Sequence, residues 1–148
     1  MISSEKNYTT EEFDYRLLDT GNFKKLEQFG HYRFVRPAPQ VIWPPSLPET
    51  DWLDINGEFR HHKGKITGGG EWIFRKPVPK VGWPLRFRDL VFTVHTTSFG
   101  HLGLFPEQVQ NWDWIANQVK ELNGNKPNVL NMFGYTGAST LAAAAELI

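Results

Sequence analysis

Asn128–Ile148, NVLNMFGYTGASTLAAAAELI, is the stretch whose reading decides the fold. Val129, Leu130, Met132 and Phe133 form a short apolar run of the kind that fills a buried parallel strand. Gly134 and Gly137 bracket a tight turn, and Ser139 or Thr140 is placed to cap a helix after it. Leu141–Glu146 is rich in alanine, the strongest helix former. Strand, glycine turn and helix in this order predict the opening of a doubly wound α/β unit, with any ligand outside the carboxyl end of the strand.

The turn is not a dinucleotide fingerprint. That pattern uses three glycines to bring backbone against a pyrophosphate, whereas only Gly134-x-x-Gly137 is present. Asn131, Phe133 and Tyr135 stand where such sites carry an acid and glycines, and two aromatics beside the turn suit a neutral, partly apolar ligand.

The N-x-F-x-Y-T-G sequence of Asn131–Gly137 resembles motif I of the class I S-adenosylmethionine-dependent methyltransferases. Within that class it is similar to the large-subunit rRNA cytosine methyltransferase branch. Upstream, Gly103–Gln108 with Asn111 resembles the G-x-F/Y-L-D-x-R element that walls the cofactor pocket in that branch. It departs from it at Pro106-Glu107-Gln108 and at Trp112, which stands near a frequent arginine. The resemblance covers about 96–148 and implies a Rossmann-like domain, S-adenosylmethionine as cofactor and RNA as substrate, with an rRNA base favoured. It implies cofactor contacts from Phe105, Gln108, Asn131, Phe133, Gly134, Tyr135, Thr136, Gly137 and Ala138. The family's acid after the second strand has no counterpart before Ile148, so the reading is of a methyltransferase cut just after motif I. C5 methylation of a pyrimidine needs a thiolate, and the chain has no cysteine. No catalytic residue is therefore named, and the chain by itself is expected to be inactive.

Ahead of this part, 13–95 reads as mostly antiparallel β structure after a flexible tail at 1–12. Asp19-Thr-Gly-Asn22 between Tyr15–Leu18 and Phe23–Phe29 reads as a hairpin turn, and His31–Arg36 alternates as a half-buried strand. Leu17–Gly21 also imitates the aspartic-protease motif. Those enzymes need two such aspartates sharing a proton, and no convincing partner motif follows. Val41–Pro48 is broken by prolines and reads as an ordered loop, pinned to the core by Trp43 and Trp52. Asn56-Gly57 is a hairpin cue. Gly68–Gly70, between strand-like runs, reads as a hairpin tip. Along Leu85–Val94 the face parity flips near Asp89, which predicts a bulge or sharp bend. From Thr96 the character changes. Pro106 then opens a helix with Val109, Trp112, Ile115, Ala116, Val119 and Leu122 on one face, ended by Asn123-Gly124. The fold class is thus α+β passing into α/β: an antiparallel β-rich region at 13–95, then the start of a Rossmann-like domain at 96–148.

The net charge is zero, but Arg60–Arg88 holds eight Lys/Arg against one acid, Glu71. Arg60, Lys63, Lys65, Arg75, Lys76, Arg86 and Arg88, interleaved with Trp72, Phe74, Trp83 and Phe87, are candidates for an RNA-binding face. The alternative is a sheet with a buried aromatic side and a solvated basic side. His61-His62, His95 and His101 match no metal-ligand spacing, so no metal is expected. There is no apolar run of membrane-spanning length, and the N-terminus is too polar for a secretory signal, which makes a cytoplasmic protein the default. Two other function classes stay open on sequence: a non-catalytic RNA-binding β module with a methyltransferase remnant, and a dinucleotide-binding oxidoreductase.

Overall fold

The computed structural model describes residues 12–63, 68–122 and 127–146. They divide into two compact units between Gly103 and Leu104.

The N-terminal unit is built on a five-stranded sheet. Its strands are β1 (Tyr15–Gly21), β2 (Lys24–Phe29), β3 (Tyr32–Pro37), β4 (Gly57–His61) and β5 (Gly70–Phe74), in that spatial order. A second, two-stranded sheet joins β6 (Trp83–Phe87) to β7 (Leu90–Val94). The β1–β2 turn is Asn22-Phe23, with φ of 50° and 62°. Both residues are left-handed, as a two-residue hairpin matching the strand twist requires. The parity flip read near Asp89 is a full reversal: Phe87 pairs with Leu90 across Arg88-Asp89, where Arg88 has a φ of 51°. Phe13 bridges to Phe87, and Asp14 N–H donates to Arg86 O (2.9 Å), so 12–14 extends this small sheet. The apolar core includes Phe13, Phe29, Phe34, Trp83, Leu85, Phe87, Phe92 and Val94, with Trp83 Nε1 donating to Phe29 O (3.0 Å).

Two expectations are corrected in this unit. Asn56-Gly57 is not a hairpin turn. Asn56 N–H donates to Arg33 O and its side-chain oxygen accepts from Arg33 N–H, which locks β4 beside β3. The β3–β4 pair is parallel and the other four strand pairs are antiparallel, so the region is mostly antiparallel, as its sequence suggests. The crossover it needs contains a short helix, α1 (Glu49–Leu53), which the sequence pattern did not predict. Pro48 at its N-cap and Glu49 and Asp51 in its first turn are the signal. Trp43 does not reach the core: it is about half exposed and donates to Thr20 Oγ1 (3.1 Å). Trp52 does pack on Leu26, Val35 and Ile55.

The Asp19-Thr20-Gly21 tripeptide holds the proline-rich loop. Asp19 accepts from Ser46 N–H (3.0 Å), Leu47 N–H (2.8 Å), Trp52 Nε1 (3.1 Å) and its neighbour Thr20 N–H (2.8 Å). Burial opposes its ionisation, but these donors outweigh that and hold its carboxyl below the ordinary value. A Cβ on Gly21 would lie 2.3 Å from Pro45 N, so only glycine lets the loop close. We expect Gly21→Ala to open 41–48 to limited proteolysis under conditions where the parent is uncut, with Asp19→Ala doing the same.

Glu27 is fully buried and takes a two-pronged hydrogen bond from Arg36 (2.7 and 2.8 Å), with Tyr15 OH (3.0 Å) and Lys25 Nζ (3.2 Å) alongside. Burial raises its pKa, but Arg36 and Lys25 together hold it below 4.5. Its stabilisation is therefore complete above that value and is lost as pH falls through the depressed one. Glu27→Gln leaves a buried guanidinium without its counter-charge and should cost about 3–5 kcal/mol at pH 7 by urea denaturation. The variant should also lose less stability than the parent between pH 6 and pH 3.5.

The C-terminal unit contains a 3-10 turn (Pro106–Gln108), α2 (Val109–Glu121) and α3 (Ala138–Ala145). Pro106 opens the helical run as its fixed φ favours. Trp112, Ala116 and Val119 are the buried apolar residues of α2, whereas Leu122, read onto the same face, is half exposed. Asn123-Gly124 lies outside the described residues, as do 1–11 and Lys65-Ile66-Thr67. The buried strand read at 129–133 does not form: Leu130 is 84% and Phe133 89% exposed. A strand is held by ladder partners, and this unit has no other strand among its described residues.

Candidate functional site

The chain reaches α3 through a turn closed by Gly137 N–H donating to Gly134 O (2.7 Å). Tyr135 is left-handed within it (φ 48°), and Gly137 is left-handed at its end (φ 99°). Gly137 is itself the N-cap residue: its carbonyl accepts from Leu141 N–H (2.8 Å), and no side chain caps the helix. This corrects the capping role read for Ser139 and Thr140. Thr140 Oγ1 instead accepts from Asn131 Nδ2 (2.9 Å), while Asn131 Oδ1 accepts from Phe133 N–H (3.2 Å). Asn131 thus ties the apolar run to the first turn of α3. The first amides of that turn have no intrahelical acceptor and sit at the positive end of the helix dipole.

Phe105, Gln108, Asn131, Phe133, Gly134, Tyr135, Thr136 and Ala138 line one cavity of about 1020 Å³. Gly137 is not among its lining residues. The cavity is also walled by α2, through Trp112, Ile115 and Val119, whose spacing in the sequence points only to packing. Phe105 and Tyr135 lie ring to ring, centroids 4.8 Å apart and tilted by 42°. Gln108 Oε1 accepts from Asn111 Nδ2 (2.6 Å). The lining includes one charged residue, Glu107, and no lysine or arginine among the described residues. No cationic side chain among the described lining residues meets a pyrophosphate there, so one would rest on the backbone amides that open α3.

The RNA candidates do not gather in one place. Arg60 lies on β4 with Glu58 (2.6 Å), and Lys63 is exposed just beyond. Arg75 and Lys76 follow β5, where Lys76 pairs with Asp54. Arg86 lies 4.0 Å from Asp14, and the Arg88 guanidinium sits over the Phe87 ring (5.1 Å). Lys65 lies outside the described residues. Trp83 and Phe87 are core residues and present no face for stacking, so around them the solvated-basic-face reading applies. Trp72 is half-buried and donates to Thr97 O (2.8 Å); Phe74 is half exposed and stacks on it. No group of three or more His, Cys, Asp or Glu able to hold a metal occurs among the described residues, and none of their helices is long and apolar enough to cross a membrane.

The crystal structure of an S-adenosylmethionine-dependent methyltransferase from Agrobacterium tumefaciens is similar to this chain, with 41% identity and a TM-score of 0.81. The match covers 90% of this chain and 41% of that one, so the chain spans about two fifths of that protein's length and shares the fold of the matched part. No protein-family model matches the chain, and no curated protein does.

The two glycines of the turn differ in what they require. Gly137 sits where a side chain is strained whatever the space, whereas Gly134 is not left-handed and an added Cβ would come no closer than 3.8 Å to Asn131 Nδ2. Gly137→Ala should cost about 1–2 kcal/mol, read as a lowered melting temperature by circular dichroism. Gly134→Ala should melt close to the parent.

Proposed function

We propose that the chain provides the cofactor turn of an S-adenosylmethionine-dependent methyltransferase acting on RNA, an rRNA base being the favoured substrate. The observation that carries this reading is the Gly134–Gly137 turn, which leads into a helix with no side-chain cap beside a cavity almost without charge. The likeness to the Agrobacterium methyltransferase supports it.

The residues present fit that cofactor. A Cβ built on Gly137 would meet nothing within 4 Å, so the backbone there is open to close approach. The amides opening α3 suit a carboxylate such as that of the methionine part. Phe133 and Tyr135 offer exposed aromatic surface to the adenosine part, and the rings of Phe105 and Tyr135 offer π faces to a cation such as a sulfonium. Asn131, held by Thr140, fixes the approach of the apolar run to the turn. Bound S-adenosylmethionine supplies an electrophilic methyl group. The task left to this chain is alignment and the exclusion of water from that group. RNA as substrate rests on the resemblance of Asn131–Gly137 to the rRNA branch and on the exposed basic side chains of the N-terminal unit.

Isothermal titration of the chain with S-adenosylmethionine tests the site. Binding is expected, with loss in Gly137→Trp and roughly a tenfold weakening in Tyr135→Ala, about the size of one aromatic contact. Tighter binding of a nicotinamide dinucleotide, or unchanged binding in Gly137→Trp, would reject the assignment.

A further inference from the structure

The N-terminal unit has a second cavity, of about 420 Å³, that the cofactor reading does not use. It opens where the sheet forks. The parallel strands β3 and β4 pair only at Phe34–Gly57 and Val35–Glu58, and separate beyond. Its lining includes Phe23, Lys24, Arg36, Glu58, Arg60 and His61. Parallel strands that part at their carboxyl ends leave a crevice where ligands bind in other sheets.

Phe23 stands out among these residues. It is the second residue of the β1–β2 turn, a left-handed position that favours glycine. Its backbone is clamped there by its own N–H donating to Val41 O (2.6 Å) and by Ala38 N–H donating to its carbonyl (2.7 Å). The ring is 58% exposed, so the strained position is not compensated by burial. Backbone strain held in place by surrounding bonds, with an aromatic face left in solvent, points to a use for that face.

The charges beside it are arranged for an anion. Glu58 is nearly buried and joins Lys24 Nζ (2.8 Å) to Arg60 Nε and Nη2 (3.1 and 2.6 Å). An ammonium carries three donors and a guanidinium five. Glu58 therefore engages one of those of Lys24 and two of those of Arg60, and both side chains are about half exposed. Behind them Arg36 is held by Glu27, with Lys25 beside it. That pair lies on the other face of the sheet; on the Glu58 face Lys24 and Arg60 share one carboxylate, with Glu71 across from Arg60 on β5. A bare phosphate makes no use of the ring.

We propose that the fork between β3 and β4 is a single-nucleotide pocket for single-stranded RNA, with Phe23 stacking on a base and Lys24 and Arg60 holding its phosphate. The assignment rests on the RNA reading above and gives that reading a location, at residues mostly outside the basic run picked out from the sequence. Lys63, two residues past His61 and exposed, extends the same charge along the strand.

Fluorescence anisotropy of 5′-labelled ten-nucleotide uridine and adenosine RNAs, on the whole chain across a salt series, tests it. Phe23→Asn keeps a residue that tolerates the left-handed turn and should weaken binding roughly 5- to 100-fold, the range for losing one base–aromatic stack. Phe23→Trp should bind at least as well as the parent. Arg60→Gln should lower the slope of log K against log salt by about 0.7, one phosphate contact on a single strand. If the parent binds RNA and neither Phe23→Asn nor Arg60→Gln changes affinity or slope, this pocket is rejected and the RNA reading stands. Equal losses in Phe23→Trp and Phe23→Asn would make Phe23 a turn residue only and reject the stacking role. Absence of RNA binding by the parent at 50 mM salt would overturn the RNA reading and this pocket with it.

Discussion

A carboxylate buried without its counter-charge would be intolerable at the centre of this sheet, and the N-terminal unit is organised around meeting that requirement. Glu27 on β2 is answered by Arg36 on β3, Lys25 on its own strand and Tyr15 on β1. Arg36 also donates to Gly100 O (3.1 Å), which brings the loop after β7 into the same arrangement. An ion pair of this kind adds little net stability over an apolar core, because desolvation offsets most of the attraction. Its effect is on register: a one-residue slip of β2 against β3 would move Glu27 to the other face and strand the guanidinium. Glu58 repeats the scheme nearer to solvent with Lys24 and Arg60, and that difference in exposure leaves the outer pair with donors to offer a ligand.

The Asp-Thr-Gly tripeptide shows how residues that look chemical can be purely architectural. All three members act on the same loop: Asp19 receives its amides, Thr20 receives the Trp43 indole, and Gly21 admits Pro45. A carboxylate already occupied by four donors is a poor base, which disposes of the protease likeness on physical grounds. The loop thus held returns two carbonyls, from Val41 and Trp43, to the amides of the β1–β2 turn, so the turn and the loop fix each other.

In the C-terminal unit, charge decides the class of ligand more sharply than shape does. A cavity with aromatic walls, a helix start with no side-chain cap and no basic residue in its described lining suits a molecule whose one anionic group is a carboxylate. A ligand with several phosphates would find no cation among the described lining residues. The two readings, cofactor at the glycine turn and RNA at the forked sheet, therefore call on different residues and can fail separately.

Local chemistry in the sequence was enough to place several of the elements. Alternation located β3, β6 and β7; Pro106 and the apolar spacing located α2; alanine content located α3; and the glycine turn picked out residues that converge on one cavity. These signals are local because backbone conformation and facial periodicity are local. Tertiary structure alone decided the rest. Asn56-Gly57 became a strand-pairing device, not a turn, because Arg33 supplied both of its partners. Val129–Phe133 stayed out of any sheet because ladder hydrogen bonds need a neighbour that spacing cannot provide. Trp83 and Phe87 went inside while Phe23 stayed out, although all three are aromatics near cations in the sequence. Lys24 on β2 met Glu58 and Arg60 on β4, more than thirty residues further along the chain. Whether a charged side chain binds a ligand or merely balances its neighbour depends on such meetings, and chain order does not record them.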